Sequence, residues 1–121
     1  MTYITNATIT KTRLCIERGF ILTAWIHLEF GCGGQAYGGR ALHLSKESPH
    51  HEKSLKYNAA GDFILNTLLI DGVDSWEDLP GRNIRIEKKS EFGEILAIGH
   101  IMKDSWYRFQ VPEEEKDAAQ V

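Results

Sequence analysis

Two runs rich in β-branched and aromatic residues, Tyr3 to Ile16 and Phe20 to Phe30, stand on either side of Glu17-Arg18-Gly19 and predict a β-hairpin. In the second run Phe20, Leu22, Ala24, Ile26, Leu28 and Phe30 alternate with Ile21, Thr23, Trp25, His27 and Glu29, which assigns the even-numbered face to the core. The odd face is mixed and sets Trp25 beside His27, where a ligand or a second subunit has room. Arg40 to Leu44 adds a short strand, and Ser45 to Lys56, with Pro49 and no sustained period, predicts a loop. Asn58 is placed to cap a helix from Ala59 to Ile70, and Gly72 to end it. Ala60, Phe63, Ile64, Thr67 and Leu68 make one face of that helix, with Asp62 and Asn66 as outward markers. Leu65, Leu69 and Ile70 widen the apolar surface past a single stripe. Burial on two sides is the expectation, and in a small chain a homo-oligomer supplies the second cover.

Further on, Ser75 takes the N-cap position of a single helical turn that Pro80-Gly81 closes, with Trp76 as a plug over the core. Strands are predicted over Asn83 to Lys88 and Ile95 to His100, around a turn containing Gly93, before the closing segment Lys103 to Phe109. This order gives an α+β fold: a mainly antiparallel β-sheet with one principal helix and a short helical turn.

Composition narrows the class. The 121 residues, 42% apolar, suit one ligand-binding domain over residues 1–111. The net charge of −3 comes from residues 112–121, which hold four acids and one lysine and predict an acidic, disordered tail; the remainder is neutral. A neutral body argues against binding of extended nucleic acid. No apolar run is long enough for a membrane span, and the amino terminus lacks the features of a secretion signal, so a cytoplasmic protein is expected. The two cysteines, Cys15 and Cys32, should not face each other across the hairpin and read as free thiols.

The search for chemistry returns no nucleophile elbow, phosphate loop, zinc helix or paired Cys-x-x-Cys knuckles, and hence no catalytic residue, metal or cofactor. His50-His51-Glu52 reads as a surface loop, and His27 and His43 as hydrogen-bonded sheet residues. Two groups remain as ligand candidates. The first is Gly31-Cys-Gly-Gly-Gln-Ala-Tyr-Gly-Gly-Arg40, with five of the eleven glycines and with Gln35, Tyr37 and Arg40 among them; Trp25 joins it from the hairpin. The second is Asp104, Trp106, Tyr107 and Arg108. Rings and guanidinium groups together suit a flat base and a phosphate. The structural alternative is a bulged turn for the first group and a core edge for the second.

The order of Thr-Arg-Leu-Cys-Ile-Glu-Arg-Gly (12–19), Leu-Thr-Ala-Trp (22–25), Gln-Ala-Tyr-Gly-Gly-Arg (35–40), Ser-Trp-Glu-Asp-Leu-Pro-Gly (75–81) and Ala-Ile-Gly-His through Lys-Asp-Ser-Trp (97–106) resembles short proteins of bacteriophages and prophages. Among these the chain is most similar to the type I Thoeris anti-defence proteins. The resemblance implies a sponge in the cytoplasm of the bacterial host, a homo-oligomer that binds a cyclic ADP-ribose-type or other cyclic nucleotide signal without hydrolysing it. Arginines would hold the diphosphate, rings would stack on adenine, and Gln35 or Asp104 would read ribose hydroxyls. The family's glycine-rich segment closes in Gly-Gly-Tyr, and Arg40 takes that last place here. Two other readings stay open: a phage protein that inhibits a host defence protein by direct binding, and an enzyme that degrades the nucleotide through His27 or His43.

Overall fold

The computed structural model describes residues 2–31, 33–39, 41–55 and 59–108. Within them seven strands form one antiparallel sheet: β1 (Tyr3–Glu17), β2 (Ile21–Phe30), β3 (Gly33–Gly38), β4 (His43–Leu44), β5 (Asn83–Lys88), β6 (Ile95–Gly99) and β7 (Trp106–Tyr107). Their order is β3-β2-β1-β5-β6-β7, and β4 also pairs with β2. The helices are α1 (His51–Leu55) and α2 (Ala59–Asp71), followed by a 3-10 turn at Trp76–Asp78.

The predicted hairpin forms, and its turn has Arg18 at φ 55° and Gly19 at φ 80°. Two successive residues of positive φ match the twist of the flanking strands, which favours Gly at the second of them. β1 is long because it serves two partners: Tyr3 to Thr8 pair with β5, and Thr8 to Glu17 pair with β2. The register shifts between Ile9 and Lys11. One extra residue there moves the side chains of β1 that share the side of Ile26 and Ala24 from odd positions, the buried Ala7 and Ile9, to even positions, Thr12 and the 53% exposed Leu14.

Helix α2 lies on the concave face of this sheet. Its buried Phe63 and Ile70 pack with Ile26, Leu28, Ile84, Ile86 and Ile98 in one core, and the buried Thr67 donates its hydroxyl to the Phe63 carbonyl at 2.7 Å. Gly72 ends the helix with φ 70°, and the amides of Gly72 and Val73 both reach the Leu68 carbonyl, at 2.9 and 3.2 Å. Trp76 packs on the core as expected, its ring centroid 6.3 Å from that of Phe63.

Several expectations need correction. The stretch Ser45 to Lys56 contains the short helix α1, anchored where His51 Nδ1 sits 2.6 Å from the Leu44 carbonyl. The odd face of β2 is also covered at its start, because Ile21 packs with Ala41 and Leu44 in a second cluster beneath β4. Asp62 is no outward marker: it accepts a hydrogen bond from the Tyr107 hydroxyl at 3.0 Å. Ile70 belongs to the core, whereas Leu65 and Leu69 stay 56% and 65% exposed. Ser75 has the extended backbone of an N-cap, but its hydroxyl donates to Glu77 at 2.8 Å and caps no amide. The closing segment forms β7, a strand too short to show a period of two. Asn58, Cys32 and the tail 112–121 lie outside the described residues; Cys15 is a free thiol beside the Thr23 hydroxyl at 3.4 Å.

Candidate functional site

The sheet curls until its ends approach. Gln35 of β3 reaches the turn between β5 and β6, its Nε2 donating to the Gly93 carbonyl at 2.9 Å. Among the described residues β3 pairs with β2 alone and β7 pairs with β6 at Ile98 and Gly99, and the start of β6 and the outer edge of β3 line one seam. A cavity of about 310 Å³ opens there, walled by Gln35 to Gly38 on one side and Glu94 to Leu96 on the other, with Arg108 at its edge. The two candidate groups of the sequence therefore meet, through Gln35 and Arg108, although they stand far apart along the chain.

The other candidates fall elsewhere. Tyr37 touches the seam but is only 7% exposed, and its ring stands in the core 6.2 Å from Phe63, so it offers no free face for stacking. Inward alternation on β3, opposite Ile26, places it there. Trp25 lies over Gly39, whose position at φ 74° leaves no space for a side chain: a Cβ would come within 2.0 Å of the indole. Its Nε1 points to Glu17 at 3.4 Å. Trp106 covers Gly99 in the same manner, carries the Arg85 guanidinium 4.9 Å from its ring centre, and donates to Asp104 at 3.0 Å. Trp25, Trp106 and Asp104 thus serve local packing and do not line the seam. Arg40 lies outside the described residues. Arg108 is half-exposed and bonds Glu87 at 2.6 Å.

Sequence reading missed a second concavity. At the end of the curled sheet that α2 does not cover, a groove of about 440 Å³ is lined by Tyr3, Thr5, Phe30, Lys88, Glu91 and Phe92, with the glycine backbone at 31, 33 and 34. Lys88 is 2% exposed, yet among the described residues its ammonium has only the Glu91 carbonyl at 2.5 Å and the Phe30 ring, 4.1 Å to the centroid. The signal was present in β5, where Ile84, Ile86 and Lys88 share the inward face and a lysine stands where an aliphatic residue belongs.

Among the described residues no three His, Cys, Asp or Glu side chains are gathered in a way that could hold a metal ion, and the His50-His51-Glu52 run supplies none. His51 instead makes an edge-on ring contact with His43, centroids 5.9 Å apart. No described helix is long and apolar enough to cross a membrane.

No protein-family model, curated protein or solved structure matches this chain. The assignment expected from the resemblance, a phage anti-defence protein of the Thoeris group that binds cyclic ADP-ribose, is corrected accordingly: no match ties the chain to phage proteins or to nucleotide binding.

Proposed function

We propose that this protein binds a small polar molecule in the seam between β3 and β6 and holds it without chemical change. The observation that carries this reading is the convergence of Gln35 and Arg108, from the two ends of the sheet, on one cavity. A guanidinium has five N–H donors and Glu87 occupies one nitrogen of it, which leaves the fork able to engage an anionic group on the ligand. Gln35 supplies an amide oxygen and Glu94 a carboxylate as acceptors for hydroxyls. In this reading the protein works in the cytoplasm, where Cys15 remains a thiol.

The test is to incubate purified protein with a panel of sugar phosphates and small carboxylic acids, remove free compound, denature, and identify what is released by mass spectrometry. The expected result is a compound of unchanged mass, held roughly tenfold more weakly by Arg108→Ala, the loss that one charged hydrogen bond represents. A product of altered mass would make the protein an enzyme, and an empty protein would end the seam proposal.

Leu65 and Leu69 favour a second reading, in which another copy of the chain covers α2. Leu65→Ser with Leu69→Ser should then halve the mass measured by light scattering; an unchanged mass removes that reading.

A further inference from the structure

We propose that the open mouth of the curled sheet is a separate binding site, one that takes an organic anion with a flat apolar body. Buried charges in proteins are ordinarily paired, because removing an ammonium from water costs several kcal/mol unless a counter-charge and hydrogen bonds replace the solvent. Lys88 breaks that pattern. Among the described residues no carboxylate forms an ion pair with it, and the Glu91 carbonyl and the Phe30 ring are its partners. A ring face and one carbonyl supply partial negative charge, while an ammonium has three donors to satisfy. An anion entering the mouth provides the missing charge.

The surroundings define the rest of the ligand. Phe92 is 86% exposed at the rim, on the turn that overhangs the groove, and Tyr3 stands beside Lys88 on the inward face, since the two are register partners across β1 and β5. A phenyl ring left in water at the lip of an apolar groove gains from covering a flat molecule. Thr5, also on the inward face, adds a hydroxyl to the groove wall. A concave, largely apolar mouth with a few polar groups at its floor is the arrangement by which curled sheets commonly take small ligands. This site differs from the seam in its chemistry: the seam is polar and offers a guanidinium at its edge, whereas the mouth has aromatic rings, an ammonium at its floor and the exposed Glu91 in its lining, whose backbone carbonyl rather than its carboxylate bonds Lys88. Gln35 lines both, bonded to Gly93.

Phenyl phosphate, inorganic phosphate and benzyl alcohol, titrated calorimetrically into the full chain, test the proposal. Phenyl phosphate should bind more tightly than either of the others. Lys88→Met should weaken it by more than about tenfold, the loss of a charge-assisted contact, and Phe92→Ala should weaken it several-fold. Methionine nearly matches lysine in volume and removes a buried charge, so the fold should survive; Phe92→Ala alters an exposed side chain and tests the site even if Lys88→Met does not fold. Absence of phenyl phosphate binding, equal affinity in the Lys88→Met protein, or inorganic phosphate bound as tightly as phenyl phosphate would overturn the proposal.

Discussion

Phe63→Ala should lower the unfolding free energy by about 3 to 5 kcal/mol, the usual loss when a fully buried phenyl ring is replaced by a methyl group. Phe63 is the hub of the core. Tyr37 of β3, Tyr107 of β7 and Trp76 of the 3-10 turn surround its ring, with centroids at 6.2, 6.1 and 6.3 Å. These partners come from both ends of the sheet and from the segment after α2, so the substitution removes the contact that holds the curl together. A domain of this size is stable by only about 5 to 15 kcal/mol, which makes the loss a large fraction of the total. Urea unfolding followed by tryptophan fluorescence measures it. The closeness of Phe63 to Gly38, where an added Cβ would lie 3.1 Å from the ring, predicts that the seam loosens as well and that seam ligands weaken in the same variant. A loss below about 1 kcal/mol would show that the ring is not the hub, since only well-collapsing sites are so forgiving.

Asp71→Asn should stabilise the protein in alkaline solution and leave it nearly unchanged in acid. Asp71 ends α2 with its carboxylate buried, and among the described residues neither oxygen has a hydrogen-bond partner. Burial raises its pKa from 3.8 to about 7, against the opposing pull of the Arg82 guanidinium, which bonds the Asp71 backbone carbonyl at 2.8 Å and not the carboxylate. The helix C-terminus adds its own disfavour toward a negative charge. Below pH 4 both folded and unfolded chains hold the proton and the group costs nothing. As pH rises from 4 to 7 the unfolded chain releases its proton while the folded chain retains it, and stability falls by about 1.4 kcal/mol per pH unit. Above pH 7 the full penalty applies, on the order of 4 kcal/mol from the shift in pKa. Asparagine keeps the shape and carries no charge, so the melting curves of variant and parent should coincide near pH 4 and separate by pH 8, the variant melting higher. A parent whose stability is flat between pH 4 and 8 would mean that the carboxylate finds water or a partner in solution.

Local chemistry made much of the fold legible. Arg18-Gly19 turns the hairpin because two positive-φ positions need a residue without a Cβ at one of them, and Gly72 stops α2 for the same reason. Alternation located β5 from Asn83 to Lys88 to the residue, and the helical period located α2 within one residue of its end. Charge and periodicity are properties of neighbours along the chain, so they can be read from it. The candidate site was legible only in part: Gln35 and Arg108 were singled out by residue type, while Tyr37 went into the core and Trp25 and Trp106 onto glycines. Which aromatic ring faces a ligand and which covers a bare backbone depends on strand register across the sheet, and register is set by long-range pairing.

Amino-acid order alone located β1, β2, β5, β6 and the principal helix with their turns, because each follows from the φ/ψ freedom and spacing of adjacent residues; the glycine-rich segment, read as a bulged turn, forms strand β3 instead, its pairing with β2 being a long-range contact. Only the tertiary structure decided that the bulge near Thr10 reverses the inward face of β1, that the sheet curls to bring Gln35 to Gly93, and that Lys88 is enclosed beside Phe30. Those outcomes rest on curvature accumulated over seven paired strands, to which each residue contributes a little and which no short window of sequence contains.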